Sequence, residues 1–187
     1  MEIKKHLNEF FTASESLKDF DVPDTILEKF ANNRVVFCTM GKSAFACRKV
    51  IFSALSFGIL WNEVDVFHAF HGDAGLIKRD DFLVFVSKSG ETSEVIKMAN
   101  HFKEWDTLSI TSESGSSLSS ICKNNIHIPV LKEGSPFNLA PMISTTMYML
   151  VLHAILCDTV KRKKIKFHDF AKNHPAGSIG LKCNEYT

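Results

Sequence analysis

The densest chemistry in this sequence is the run Ser87-Lys88-Ser89-Gly90-Glu91-Thr92-Ser93-Glu94, which follows the apolar stretch Phe82–Val86 and precedes a helical pattern. Hydroxyl donors, backbone N–H groups and the positive end of a helix converge in such a loop, which is what a phosphate monoester requires. The structural alternative is a capping box with Ser89 as N-cap and Thr92 or Ser93 nearby. One cap needs only one hydroxyl, so four in one loop favour phosphate. Glu91 and Glu94 are three apart and fall on neighbouring positions of the helix start. One reads as a surface acid that complements the helix dipole, the other as an acid facing the ligand.

Two further loops carry reactive types. Thr39-Met40-Gly41-Lys42-Ser43 opens a helix after a strand-like run. It lacks the spacing of a Walker loop, yet its glycine and lysine can present N–H donors and an ammonium to an anion. A tight turn with a surface lysine is the plainer reading. His68, His71 and Asp73 cluster, but no further His or Cys stands at metal spacing, so a hydrogen-bonding role is expected there and no metal. Near the end, Asn173-His174-Pro175-Ala176-Gly177-Ser178-Ile179-Gly180 reads as a rigid, glycine-punctuated turn. The basic run Lys161-Arg162-Lys163-Lys164, with Lys166, reads as a solvated helix end, with an anionic partner as the alternative.

Strand ends and helix starts must position these loops. Apolar spacing predicts a helix over 2–18 and a short one from Asp24, after the break at Pro23. Strands are expected at Arg34–Thr39, Glu63–Phe67, Phe82–Val86, Thr107–Thr111 and Asn125–Pro129. Helices are expected at Ser43–Phe57, Glu91–Glu104, Ser116–Lys123 and Met142–Lys161. Such alternation argues for an α/β fold with a parallel sheet covered on both faces. In such sheets ligands bind outside the carboxyl ends of the strands, where these loops fall.

Composition narrows the function classes. The chain has 187 residues, 45% hydrophobic and 23% charged, with 22 Lys plus Arg against 21 Asp plus Glu. These values fit one globular domain and give no basic nucleic-acid footprint. Five widely spaced cysteines without a C-x-x-C suggest neither disulfides nor zinc, and fit a reducing, cytoplasmic setting. Met142–Cys157 is apolar but carries Ser144, Thr145, Thr146 and His153, so it reads as a buried helix rather than a membrane span.

Taken in order, these pieces resemble the sugar isomerase (SIS) domain family over about residues 30–182, and most of all its arabinose-5-phosphate isomerases. The matching stretches are Met40-Gly41-Lys42-Ser43, His71-Gly72-Asp73, the Ser87–Glu94 loop, Glu133-Gly134-Ser135-Pro136, Leu139-Ala140-Pro141 with Ser144-Thr145-Thr146, and His174–Gly180. The resemblance implies a three-layer α/β/α sandwich with a five-stranded parallel sheet. It implies interconversion of D-arabinose 5-phosphate and D-ribulose 5-phosphate, the entry to Kdo synthesis for lipopolysaccharide or capsule. The family's catalytic lysine, two glutamates and histidine fall on Lys42, Glu94, Glu133 and His174. Phosphate binding falls on Ser43, Ser87, Lys88, Ser89, Thr92 and Ser93, and other pocket positions on Gly41, His71, Gly72 and Asp73. Lys88 stands where the family usually has Asn, and Thr39, Ala44 and Cys47 stand where it often has Gly.

The implied reaction needs a carboxylate base, Glu133 or Glu94 with Glu133 preferred, Lys42 to stabilise the oxyanion, and His174 to open the furanose ring. No cofactor, nucleic acid or membrane partner is expected. A homotetramer is, with His174 entering a neighbour's site. Other phosphosugar isomerases and non-catalytic sugar-phosphate regulators are the alternatives. Many family members continue into CBS domains, whereas this chain stops seven residues after Gly180. The expectation is therefore a single SIS domain over 1–187 without CBS domains.

Overall fold

The computed structural model describes residues 2–185; the outermost residues of the expected 1–187 domain, 1 and 186–187, lie outside the described residues. Five strands form one parallel sheet in the order β2-β1-β3-β4-β5. They are β1 Val35–Thr39, β2 Asn62–Asp65, β3 Phe82–Val86, β4 Asp106–Thr111 and β5 Asn124–His127. Every residue of β1 and β3 is buried, as central strands covered on both faces must be. The helices are α1 Glu2–Glu15, α2 Asp24–Asn32, α3 Gly41–Ser56, α4 Val66–Ala69, α5 Ser93–His101, α6 Ser117–Ile121, α7 Ile143–Arg162, α8 Phe167–Ala171 and α9 Gly177–Glu185.

Two cores sandwich the sheet. On one face Phe30 of α2, Val50 and Ala54 of α3, and Met147, Tyr148 and Leu152 of α7 pack on Phe37, Phe82 and Val84. On the other, Val95, Met98 and Ala99 of α5 and Leu118 of α6 pack on Val36, Leu83 and Phe85. The strands therefore alternate their side chains between two helical layers. At the amino edge Arg34 forks onto buried Asp81 at 2.8 and 2.7 Å, and Lys29 holds Asp106 at 2.5 and 2.6 Å.

Several elements differ from expectation. The strand read at Glu63–Phe67 ends at Asp65, because the Asp65 carboxylate accepts from Phe67 N at 2.9 Å and starts α4. The helix read from Glu91 begins only at Ser93 and stops at His101. The turn read over residues 173–180 gives way at Gly177 to α9. The basic run lies at the exposed end of α7, with Lys161, Lys163, Lys164 and Lys166 exposed, and two of its residues also make structural contacts. Arg162 pairs with Asp158 and Asp24, and Lys163 donates to the Ala31 carbonyl at 2.9 Å.

α7 is the one described helix long and apolar enough to cross a membrane. Its stripe from Ile143 to Thr159 is buried against the sheet, with α2 and α3 alongside. Burial pushes the Cys38 and Cys47 thiols well up and that of Cys122 up to about 12, so these three are unreactive.

Leu83, fully buried in β3, tests the packing. Leu83→Ala should cost about 3 kcal/mol in urea unfolding, the usual range for emptying a core leucine site. A loss below about 1 kcal/mol would show that the α5 layer collapses freely onto the sheet.

Candidate active site

The strand order reverses between β1 and β3, and the carboxyl edge there is the natural crevice of this topology. Parallel connections place the N-termini of α3, α4, α5, α6 and α7 along that edge. Each start leaves N–H groups in need of an acceptor. Resident carboxylates meet four of these starts: Asp65 accepts from Phe67 N at the start of α4, and Glu94 takes its own N–H in the first turn of α5. Glu91 Oε1 accepts from Ser117 N at 2.7 Å at the start of α6, and this bond holds its carboxyl below the ordinary range. Glu133 Oε2 accepts from Met142 N at 2.9 Å and Ser144 N at 3.1 Å at the start of α7. The flanking residues of α3 and α5, Met40 and Thr92, make no side-chain cap. Of the two starts that border the β1/β3 crevice, α3 thus has no resident acceptor, and α5 has only the half-exposed carboxylate of Glu94 on its own N–H.

The loop between β3 and α5 is built for close approach. Gly90 has φ +65°, and a Cβ there would lie 2.2 Å from Ser116 Oγ. Its carbonyl accepts from Leu118 N at 3.1 Å, pinning the loop to α6. Ser87 and Thr92 share a hydrogen bond at 2.9 Å, and Ser89 accepts from Glu91 N at 3.1 Å. Ser89 is therefore a turn-former rather than the N-cap of α5. Glu94, half-exposed in the first turn, is held below the ordinary range by its own N–H and then by the Ser93 hydroxyl. Ser93 donates to it at 2.9 Å.

Glu133 is 1% exposed. Its Oε1 lies 3.0 Å from Lys88 Nζ, an ion-pair contact not aligned as a hydrogen bond. Burial pushes the carboxyl up, but the Ser144 and Met142 N–H donors and Lys88 outweigh it, and the net direction is below the ordinary value. Two supports for Glu133 were not singled out from sequence. Asn138 Oδ1 accepts from Glu133 N at 2.5 Å, with Asn138 at φ 56°. Gly134, at φ +67°, leaves room for Ile143. The run Pro136-Phe137-Asn138, typical of turns, was the available signal.

The other expected residues are placed as follows. Gly41, at φ +61°, opens α3, with Lys42 and Ser43 in its first turn. Lys42 is exposed, and neither a hydrogen bond nor an ion pair holds it among the described residues. Gly72 and Asp73 line a separate cleft of about 430 Å3 beside the end of β2, and His71 is exposed near Phe67. No metal-binding group of His, Cys, Asp or Glu forms among the described residues. A larger groove of about 810 Å3 runs between α1 and Pro129–Lys132, but neither Lys42, Glu94 nor the Ser87–Thr92 loop lines it.

His174 stands apart from the others. Its ring stacks on Phe170 at 4.1 Å, and Nδ1 must donate to the Phe170 carbonyl at 2.8 Å, leaving Nε2 as the basic nitrogen of the neutral ring. Gly180 lets α9 close on the His174 carbonyl, since a Cβ there would meet it at 2.5 Å. Asn173 donates to the Ser56 carbonyl at 3.2 Å, and Phe170 packs on Phe57 at 5.2 Å. These contacts are at the end of α3, roughly 20 Å along the helix from Lys42. One chain brings Lys42, Glu94, Glu133 and the phosphate-type loop to one edge and leaves His174 at the other.

The SIS domain model matches residues 30–157. The chain belongs to the SIS domain family. An Escherichia coli arabinose 5-phosphate isomerase, KpsF, is 34% identical over 148 residues, 78% of this chain and 47% of that protein. A Chlamydia muridarum relative is 36% identical over 154 residues, 80% of this chain and 46% of its own length. This SIS chain thus spans about half the length of the curated relatives it matches. A solved Escherichia coli CFT073 protein in complex with arabinose 5-phosphate superposes with TM-score 0.85 at 30% identity, covering 92% of this chain and 95% of that one.

The capping role of Glu133 gives a pH test. A carboxyl held below its unfolded value of 4.5 stabilises the fold above that pH, and loses the contribution as pH falls through the folded value. Glu133→Gln should therefore be less stable than wild type at pH 7, with the gap narrowing below pH 4. Urea midpoints at pH 7 and pH 3.5 measure this, and a gap that widens on acidification would refute it.

Proposed function

We propose that this chain is an aldose–ketose isomerase that interconverts D-arabinose 5-phosphate and D-ribulose 5-phosphate in the cytoplasm, at the entry to Kdo synthesis. The observation that carries this reading is the pairing, on one sheet edge, of an uncapped anion loop with a buried, fixed carboxylate and an unpaired lysine. A sugar phosphate needs the first to be held and the others to react. The similarity to KpsF and to the arabinose 5-phosphate complex supports the pentose.

In this reading Ser43, Ser87, Lys88, Ser89, Thr92 and Ser93 hold the phosphate, and remote binding energy aligns the reacting carbons. Glu133 takes the C2 proton of the open aldose, the C1 oxygen gains the charge, and Lys42 stabilises it as a cis-enediol forms. The proton returns at C1 while the C2 hydroxyl gives up its proton and becomes the ketone carbonyl. Glu94 orients hydroxyls or relays that proton. His174 opens the furanose ring through Nε2.

The distance of His174 from Lys42 within one chain supports a shared site in a homotetramer. Exposed apolar side chains on two helices suit such contacts: Ile3, Leu7 and Phe11 on α1, and Phe45, Phe52 and Leu55 on α3.

Purified protein should convert arabinose 5-phosphate to ribulose 5-phosphate, and Glu133→Gln should slow this about 100-fold or more. Turnover of a different phosphosugar in a substrate panel would replace the pentose. A thermal shift with sugar phosphate but no turnover of any would favour a regulator instead. For the shared site, Glu133→Gln and His174→Ala proteins should each be inactive and partly recover when mixed. No recovery under proven subunit exchange counts against it.

A further inference from the structure

One contact at this edge is not needed for either of the jobs assigned so far. Lys88 lies in the anion loop, yet its ammonium is turned to the carboxylate of Glu133, 3.0 Å from Oε1. The main chain of Lys88 is fixed, because its carbonyl accepts from Ser112 N at 2.9 Å on the neighbouring strand. Its side chain is about one third exposed and makes no other ion pair or hydrogen bond among the described residues. A single flexible four-carbon arm therefore links the phosphate-type loop to the proposed base.

Glu133 is anchored independently of that arm. Oε2 keeps the Met142 and Ser144 N–H donors, and the Glu133 backbone is held by Asn138 and by Ile143 N, which donates to the Glu133 carbonyl at 3.3 Å. Apart from Lys88, the charged or titratable groups around it are Tyr148, which donates to or accepts from Ser112 at 2.6 Å, and the Glu9–Lys132 pair behind Gly134. Only Lys88 touches Oε1. If Lys88 leaves, the carboxylate stays in place but loses the one cation that quenches its basicity.

We propose that Lys88 is a substrate-triggered positioning residue: it holds Glu133 until a phosphate ester enters the Ser87–Thr92 loop, then moves to that ester and uncovers Oε1 as the base. This rests on the isomerase reading and deepens it. The driving force is charge. A phosphate monoester carries about −1.5 to −2 at neutral pH and offers three strong acceptors, against one charge and one badly aligned oxygen on Glu133. The consequence is useful for catalysis. A buried carboxylate stripped of its cation binds a proton more tightly, and the proton affinity of Glu133 rises only when substrate is present.

Sulfate is a suitable probe, because it mimics the ester dianion and does not itself titrate near pH 5. In a crystal structure with sulfate bound at the loop, Lys88 Nζ should contact the anion and stand beyond ion-pair distance of Glu133. Calorimetry at pH 5 in buffers of different ionisation enthalpy should show proton uptake on sulfate binding by wild type. Glu133→Gln should abolish that uptake, and Lys88→Met should remove most of it, since its Glu133 already lacks the cation. A merely structural lysine would leave the uptake unchanged in Lys88→Met. Lys88→Met leaves the Met142 and Ser144 donors on Glu133, so this variant is expected to fold even if Glu133→Gln does not. Sulfate bound with Lys88 still on Glu133, or equal uptake in wild type and Lys88→Met, overturns this proposal alone. Failure to bind sulfate or a sugar phosphate at all overturns the isomerase reading with it.

Discussion

The constraint on which this structure turns is the accumulation of helix N-termini at one edge of a parallel sheet. Right-handed crossovers leave no choice in the matter: each helix that follows a strand starts at the carboxyl edge. Five such starts gather positive potential and N–H groups in need of acceptors along that edge. The chain meets the demand unevenly. It supplies Asp65 to α4, Glu91 to α6 and Glu133 to α7, only Glu94's own carboxylate to α5, and nothing to α3. α3 and α5, whose flanking residues make no side-chain cap, border the point where strand order reverses.

Glu133 ties that crevice to the core. α7 contributes Met147, Tyr148, Val151 and Leu152 to the larger hydrophobic cluster. Its first N–H groups are held by Glu133, through both the side chain and the carbonyl. Burying an ionised carboxylate is costly unless it is paired and hydrogen-bonded. Here two backbone donors and one ammonium meet that cost. The same donors fix the carboxylate in place, with Asn138 holding its backbone N–H.

Much of this was legible in the sequence, for identifiable reasons. Phe82–Val86 is a continuous apolar run and could be little else than a central strand; its limits match β3. The hydroxyl-rich loop after it reads as an anion site by composition, and the structure gives it the tight turn at Gly90. What was hidden depends on partners distant in sequence. Glu91 looked like a residue of α5 because its spacing to Glu94 is helical, but its acceptor is needed 26 residues on, at Ser117. Asp65 ended β2 early through a local cap that alternation does not reveal. α9 was read as a turn because Gly177 and Gly180 look like breakers. Gly177 does take φ +78°, while Gly180 is inside the helix to let it approach the His174 carbonyl. Nor could spacing show Lys88 against Glu133, a contact that joins two loops across the sheet edge.

The position of His174 follows from the length of α7. Its 20 residues carry the chain roughly 30 Å from the edge where Glu133 sits to the opposite edge. Only 11 residues lie between Arg162 and His174, and α8 takes up five of them. The remainder is committed by Asn173 on Ser56, Phe170 on Phe57 and the ring stack of His174 on Phe170. Bringing His174 back to its own Glu133 would require undoing all three contacts and unwinding α8. The same contacts fix the ring in tautomer and orientation within its own chain, since Nδ1 is committed to the Phe170 carbonyl.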